Sequence, residues 1–190
     1  MMIRFFLFIV SLILVLHSGA QIVVSSSTQP LHYKCLKTLT APMIDGDIND
    51  VVWDAADWTT DFIDISCVNF PKPAYTTKVK MLWDDSTLYL AAYIQEPHLW
   101  ATLTEDESVI FYDNDFEVFI DPNGDNHDYF EFEFNAFNTK WDLFLPFPYR
   151  DLGKPDVNWN CKNLRSAVQL YGSINDAKGA VDSAWTIEIA

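Results

Sequence analysis

Positive charge is scarce in this sequence of 190 residues, which has 12 Lys and Arg residues against 27 Asp and Glu residues and a formal net charge of -15. An acidic surface of this kind repels phosphate backbones and anionic lipid, so nucleic acid and membrane surfaces are poor partners. Neutral ligands and cations remain open as partners.

Cysteine is also rare, and the three residues, Cys35, Cys67 and Cys161, cannot all pair within one chain. No CxxC spacing suggests a zinc site, and no phosphate loop or nucleophile elbow is present. The cysteines fit either one disulfide with one buried thiol or three buried thiols.

The longest apolar run lies at the start of the chain. Residues 5–16 are apolar apart from Ser11, Arg4 precedes them, and small residues lead up to Ala20. This pattern predicts a cleaved signal peptide at 1–20, and the run is shorter than the roughly 20 residues of a spanning helix. We therefore expect export to the periplasm, cell surface or medium, without membrane insertion after cleavage. The serine-rich residues 21–30 are typical of a flexible spacer, so we expect the domain to cover 31–190.

Extended helical periodicity is missing from the rest of the chain. Short apolar runs separated by turn formers predict strands at 76–83, 88–95, 116–121, 129–135, 141–145, 167–171 and 185–190. One short helical turn is predicted at 47–56, with Val51, Val52 and Trp53 buried. Together these features predict an all-β, antiparallel β-sandwich. Because the last strand ends the sequence without a turn, we expect the native chain to continue and the sandwich to lack its final strands.

The two predicted strands at 116–121 and 129–135 alternate with a period of two. One face carries Phe116, Val118, Ile120, Phe130, Phe132 and Phe134, and the opposite face carries Glu117, Glu131, Glu133 and Asn135. Successive side chains of a strand point to opposite faces, so the apolar set is predicted to meet the core. The acidic set is then either a ligand-binding surface or a solvated polar face.

Six phrases occur in a recognisable order along the chain. They are Met-Ile-Asp-Gly-Asp-Ile at 43–48, Val-Trp-Asp-Ala-Ala at 52–56, Thr-Lys-Val-Lys-Met-Leu-Trp-Asp-Asp at 77–85, Leu-Tyr-Leu-Ala-Ala at 88–92, Asn-Asp-Phe-Glu-Val-Phe-Ile-Asp-Pro at 114–122 and Trp-Thr-Ile-Glu-Ile-Ala at 185–190. From about residue 31 onward the chain resembles the family 9 carbohydrate-binding modules, especially the bacterial family 9-like proteins.

The resemblance implies a jelly-roll-like, DOMON-like β-sandwich that binds sugars, with bound calcium in some members. In such members two tryptophans clamp the sugar, and carboxylates and amides bond its hydroxyls. Glu117 stands at the family's sugar-contacting glutamate, and Phe111 stands near the first clamping tryptophan. The second tryptophan belongs to a C-terminal part that this chain does not contain. An expected arginine on the strand of Phe132 is replaced by a carboxylate, nearest Glu133.

Aromatic platforms beside fixed polar groups suit sugars, whose rings combine apolar C–H faces with hydroxyl edges. Trp100, Phe111, Tyr112 and Trp141 lie near strand ends or loops and are candidates for exposed positions, whereas Trp53 and Trp83 are predicted to lie in the core. For any one of these aromatic residues taken alone, a place in the sandwich interior is the favoured interpretation. The carbohydrate-binding candidates are Glu117, Phe111, Glu133, Asn135, Trp100 and Trp141.

The connection at 121–128 is rich in oxygen ligands. Asp121, Asn123, Asp125 and Asp128 are candidate ligands for a structural calcium ion, which takes six to eight oxygens. The spacing lacks the terminal bidentate glutamate of an EF-hand, and an ordinary hairpin loop explains the same residues.

The sequence thus predicts a non-catalytic module that binds oligo- or polysaccharide, alone or beside a catalytic domain or enzyme partner. Two alternatives remain. One is part of a glycoside hydrolase, which needs two carboxylates about 5–10 Å apart. The other is a surface domain whose aromatic residues bind a protein.

Overall fold

A computed structural model describes residues 31–65, 72–176 and 181–190 of the chain. The chain divides into two units, residues 1–32 and 33–190, and every strand of the described residues lies in the second. The predicted signal peptide and most of the adjoining first unit, including the spacer at 21–30, lie outside the described residues. Within the described ranges, no helix has the length and apolar character needed to cross a membrane.

The described residues of the second unit contain eight strands. They are β1 (Leu36–Lys37), β2 (Thr77–Trp83), β3 (Leu88–Gln95), β4 (Asp115–Ile120), β5 (Tyr129–Asn135), β6 (Lys140–Leu145), β7 (Ser166–Tyr171) and β8 (Ala184–Ile189). Helical structure in the described ranges is limited to short 3-10 helices at Val51–Ala55, Ile110–Tyr112 and Tyr149–Asp151.

The strands form two sheets. One has five strands in the order β1-β2-β3-β8-β7, and the other has three in the order β4-β5-β6. Every pairing between these strands is antiparallel except that of β1 with β2, which is parallel. The predicted all-β sandwich is confirmed. Seven strands lie where the sequence predicts them, with ends that differ by about a residue, while the two-residue strand β1 was not predicted.

The principal core lies between the two sheets. Phe116, Phe132 and Phe134 are buried there against Trp185 and Ile187 of the other sheet. Val118, Ile120 and Phe130 pack against the same cluster. The predicted division of the β4–β5 hairpin into an apolar and an acidic face is therefore confirmed.

A second core covers the far side of the five-stranded sheet. Trp53, on the 3-10 helix Val51–Ala55, is fully buried there beside Leu82, as predicted for the tryptophan. Val51, predicted to be buried, is 83% exposed, because a short 3-10 helix turns only part of its surface toward the sheet. The prediction of a core position for Trp83 is also wrong, because Trp83 is the last residue of β2 and is 40% exposed there, with the Lys37 amine 5.2 Å from its ring centre.

Among the described residues, β4 pairs only with β5, so its other edge is open. A cavity of about 450 Å³ opens beside it, lined by residues that include Val118, Ile120 and Ile189. Cys35 and Cys161 are free, half-buried thiols rather than a disulfide with each other, and burial raises the pKa of both. Cys67 lies outside the described residues.

Candidate functional site

Acidic side chains gather on the face of β4–β5–β6 that points away from the core between the sheets. We call this surface the outer face. Glu117 on β4 pairs with Glu133 on β5, which in turn pairs with Trp141 on β6. Glu131 and Asn135 lie on the same face of β5, and Asp115 lies on the same face of β4. The predicted common direction of Glu117, Glu131, Glu133 and Asn135 is confirmed.

The outer face is not the open, solvated surface that strand alternation suggests. Glu117 is exposed, but Glu131, Glu133 and Asn135 are only 4%, 1% and 0% exposed. The segment before β4 covers them, since the 3-10 helix Ile110–Tyr112 packs on β5 and Ile110 joins a buried cluster with strand β6. Trp141 belongs to this cluster and is 9% exposed, so of the two interpretations the interior position applies to it.

Mutual repulsion and burial disturb the ionisation of four carboxyl groups on this face. Burial, followed by the charge of Glu117, raises the pKa of Asp115 to about 7. Burial and the charges of Glu131 and Asp115 raise the pKa of Glu133 to about 8. Burial also raises the pKa of Glu117 and Glu131. Near neutral pH the group therefore contains both protonated carboxyls, which donate hydrogen bonds, and carboxylates, which accept them.

Three of these carboxyl groups lie close enough to share a cation. Asp115, Glu117 and Glu133 each offer an oxygen within 4.8 Å of the others. The Oδ2 atom of Asp115 is buried without a hydrogen-bond partner. None of the three forms a salt bridge with a lysine or arginine in the described part of the chain. A hard cation that prefers oxygen ligands fits this donor set.

Exposed aromatic rings flank the carboxyl groups. Phe111 is 53% exposed, and its ring packs edge-on against Tyr112 with centroids 4.9 Å apart. The same ring lies tilted by 38° to that of Trp141, with centroids 6.2 Å apart. The backbone N–H of Phe111 donates a hydrogen bond of 3.0 Å to Glu133. This bond fixes the segment that carries Phe111 and Tyr112 to the acidic residues of β5. Phe111 and Tyr112 are therefore exposed, and the interior position favoured for each aromatic residue taken alone does not apply to them.

The other end of the outer face opens into a cavity of about 520 Å³. Phe119, which is 51% exposed, Tyr129 and Arg150 line it together with two residues of the 121–128 loop. Tyr149 donates a hydrogen bond of 2.6 Å to Glu131 beside them. Burial and the bond to Glu131 raise the pKa of the Tyr149 hydroxyl, so it remains a donor at neutral pH.

Sequence reasoning missed Asp115, Phe119 and Tyr149 as members of this surface. The period of two through Glu117 is a signal that reaches Asp115 and Phe119. No local pattern indicates Tyr149, because a 3-10 helix after the proline-rich loop brings it back over β5.

The side chain of Asn135 holds the local structure together and is not available to bond a ligand. Its Nδ2 donates to Leu103 and Asp113, and its Oδ1 accepts from the backbone of Phe137 and Thr139. Its side-chain hydrogen-bonding capacity is thus fully used. Asp113 also accepts hydrogen bonds from the 102–103 backbone; burial opposes ionisation there, but these bonds outweigh it and lower the pKa of Asp113. The pair holds the covering segment against the sheet.

The remaining predicted residues lie elsewhere. Trp100 is 53% exposed and lines a separate cavity with Glu96 and Asn114. In the 121–128 loop, Asp121 accepts hydrogen bonds from Gly124 and Asn126 at 2.8 and 2.7 Å, as in an ordinary turn. The predicted ligands Asn123, Asp125 and Asp128 are exposed in the same loop.

Comparison with known proteins finds sequence relatives that include two xylanases and an exoglucanase. Endo-1,4-beta-xylanase A of Thermotoga neapolitana and that of Thermotoga maritima are each 34% identical over 119 residues, which cover 56% of this chain and 10% of theirs. Exoglucanase XynX of Acetivibrio thermocellus is 31% identical over 102 residues, covering 53% of this chain and 8% of its own. The chain therefore spans about a tenth of the length of these relatives.

The fold is similar to that of a carbohydrate binding module family 9 from Caldicellulosiruptor kristjanssonii, solved in complex with cellotriose and with glucose. The TM-scores are 0.51 and 0.52, the identities 20% and 19%, and the matches cover 82% and 81% of this chain and 65% and 66% of that protein. In sequence, residues 44–147 match the model of the family described as "Carbohydrate family 9 binding domain-like". This chain belongs to that family.

Proposed function

We propose that this domain binds carbohydrate without transforming it, and that the outer face of β4–β5–β6 is its binding surface. The observation that carries the proposal is that exposed Glu117 and exposed Phe111 lie together on this face, both next to the buried Glu133, which pairs with Glu117 and accepts the Phe111 N–H. Family membership and the sugar-bound structures with the same fold support the ligand class.

The chemistry of the surface suits a sugar ring. Phe111 and Phe119 are about half exposed and offer platforms for apolar C–H faces. Glu117 is the exposed carboxyl group, and the neighbouring protonated and ionised carboxyls supply donors and acceptors for hydroxyl groups. The covering segment fixes Glu133 through the Phe111 backbone, so these groups are ordered before a ligand arrives.

A calcium ion is the metal we propose for this surface. Asp115, Glu117 and Glu133 would hold it, and it would neutralise the crowded carboxylates. The 121–128 loop is the second calcium candidate, with Asp121, Asn123, Asp125 and Asp128 as ligands. These two sites make different predictions when their residues are changed.

We further infer that the module is exported and acts beside a glycoside hydrolase, either in one chain or as an enzyme partner. The composition of residues 1–20 supports export, and the named xylanases and exoglucanase support the association. The precise compartment among periplasm, cell surface and medium stays a prediction.

Isothermal titration with cellotriose, glucose and xylotriose tests the proposed function. We expect measurable affinity for at least one of them and no release of reducing sugar on long incubation. Phe111→Ala is expected to weaken binding at least tenfold, while Tyr75→Ala, which removes a similarly exposed aromatic ring elsewhere, leaves it unchanged. Sugar release would favour the hydrolase alternative. Absence of binding across a broad glycan array, with capture of a surface protein instead, would favour the protein-interaction alternative.

A further inference from the structure

A further cavity, of about 340 Å³, lies away from the outer face. It is found where β3 and β7 end and β4 and β8 begin. The cavity is lined by Trp100, Glu96, His98 and Asn114, and also by Asn175 and Asp182. Trp100 is 53% exposed, so its ring is available to a molecule in the cavity.

Hydrogen bonds fix the backbone on both sides of Trp100. Asp182, which is 5% exposed, accepts a hydrogen bond of 2.8 Å from the Leu99 N–H and another of 2.7 Å from Ser173. Asn175 accepts from the Ala101 N–H at 3.1 Å and donates to the Ala101 carbonyl at 2.7 Å. Leu99 and Ala101 are themselves buried. The tryptophan is therefore presented from a segment held at its two neighbours, and little order has to be gained when a ligand binds.

The groups that remain to meet a ligand are a carboxylate, an amide and an imidazole. Asn114 Nδ2 lies 3.2 Å from each carboxylate oxygen of Glu96, which orients the two planar groups together. This contact links the residue before β4 to the residue after β3, which belongs to the other sheet. The next residue, Asp115, lies instead on the outer face of β4. His98 lies at the exposed side of the cavity.

This combination suits a neutral sugar. An exposed indole offers a face for C–H stacking, and the Glu96–Asn114 pair offers an acceptor and a donor for adjacent hydroxyls. The acidic groups lining the cavity oppose a uronic acid. The volume lies near the lower end of the roughly 300–1,000 Å³ typical of ligand sites, which favours one or two sugar units over a long chain segment.

We propose that the Trp100 cavity is a second carbohydrate-binding site, which takes a short, uncharged pyranose unit independently of the outer face. Trp100 stacks on the ring, and Glu96 and Asn114 bond its hydroxyls. Two separate sites on one domain allow a polysaccharide or two neighbouring chains to be held at once, which raises the avidity for an insoluble polymer above the affinity for a short oligomer.

Calorimetric titration with cellotriose of the wild type, Trp100→Ala, Phe111→Ala and the double variant tests this proposal. We expect two sites per chain in the wild type, one in each single variant and none in the double variant. Trp83→Ala is the matched control, since it removes another exposed tryptophan, and it should retain both sites. Trigalacturonate should not compete for the Trp100 site.

The titration gives different results depending on which of the two proposed sites is wrong. Unchanged stoichiometry and affinity in Trp100→Ala, or equal losses in Trp83→Ala, would overturn the second site and leave the outer face standing. Full loss of binding in Trp100→Ala with no effect of Phe111→Ala would retain this cavity and remove the outer-face proposal. If Trp100→Ala does not fold, Glu96→Gln with Asn114→Ala gives the same readout, and the proposal requires that pair to remove one site.

Discussion

The indole Nε1 of Trp53 donates a hydrogen bond of 2.7 Å to Oε1 of Glu188, a residue 135 positions later in the chain. The other carboxylate oxygen of Glu188 accepts the backbone N–H groups of Asp45 and Gly46 at 3.0 and 2.9 Å. Three of the phrases that carry the family resemblance thus meet at one fully buried carboxyl group. Gly46 is required there because its φ is +90° and a Cβ atom would lie 2.6 Å from the Val168 carbonyl carbon.

Glu188→Gln is expected to destabilise the domain by about 1–3 kcal/mol, the penalty for leaving buried hydrogen-bonding groups unmatched. An amide places N–H hydrogens against the N–H donors of Trp53 or Gly46, so at least one contact is lost. Urea unfolding followed by circular dichroism measures the change. A free energy of unfolding equal to that of the wild type would contradict this role, and affinity for cellotriose should stay the same.

Phe116 and Phe119 lie on opposite faces of β4, so truncating each side chain to alanine should affect stability differently. Phe116→Ala is expected to destabilise by about 3–5 kcal/mol, as large core truncations do, because Phe116 is 5% exposed between the sheets. Phe119→Ala, on the same strand but 51% exposed on the outer face, should change stability little and weaken sugar binding instead. Paired thermal melts and titrations measure both effects. Similar losses of stability in the two variants would be evidence against the assigned faces.

The contact between Glu107 and Asp142, which lies away from the proposed sugar sites, predicts that the stability of the domain depends on pH. Burial and the nearby charge of Asp142 raise the pKa of Glu107 to about 7. A carboxyl group whose pKa is higher in the folded chain than in the unfolded chain favours the folded state at low pH. This contribution to stability is fully present below the pKa of the unfolded chain, about 4.3, and is lost as the pH rises through the pKa of the folded chain, about 7. Glu107→Gln, whose amide oxygen still accepts from Asn160, should therefore lose less stability than the wild type between pH 5 and 8. Parallel pH–stability curves for the two proteins would rule this coupling out.

Calcium should act through the outer face if Asp115, Glu117 and Glu133 hold it. Calcium added to metal-stripped protein at pH 8 is expected to raise the melting temperature, and Asp115→Asn should reduce that rise. Asp121→Asn with Asp125→Asn tests the loop as the alternative. A rise that survives Asp115→Asn and disappears in the loop variant would transfer the metal to the 121–128 loop.

The strands were predictable because their signals are local. Alternation in Phe-Glu-Val-Phe-Ile and Phe-Glu-Phe-Glu-Phe sets the faces of β4 and β5, and the turn formers at 121–128 set their connection. β1 was missed because two residues carry no period, and it exists through its parallel pairing with β2.

The site was only partly predictable because its covering comes from other parts of the chain. Alternation placed Glu131 and Glu133 opposite the core but gave no sign that the segment before β4 would bury them. Tyr149 reaches Glu131 through a loop conformation that residue type does not specify. Trp141 shows the same limit, since its burial depends on Ile110, about thirty positions away in sequence.

The most direct test of carbohydrate binding at the outer face is a titration of Glu117→Ala with cellotriose alongside its melting curve. Removing one exposed carboxyl group from a repelling cluster should leave the melting temperature unchanged or slightly higher, while affinity at the outer-face site falls at least tenfold and Asp54→Ala, an exposed control, keeps wild-type affinity. Unchanged affinity in a folded Glu117→Ala protein would contradict the assignment of this surface.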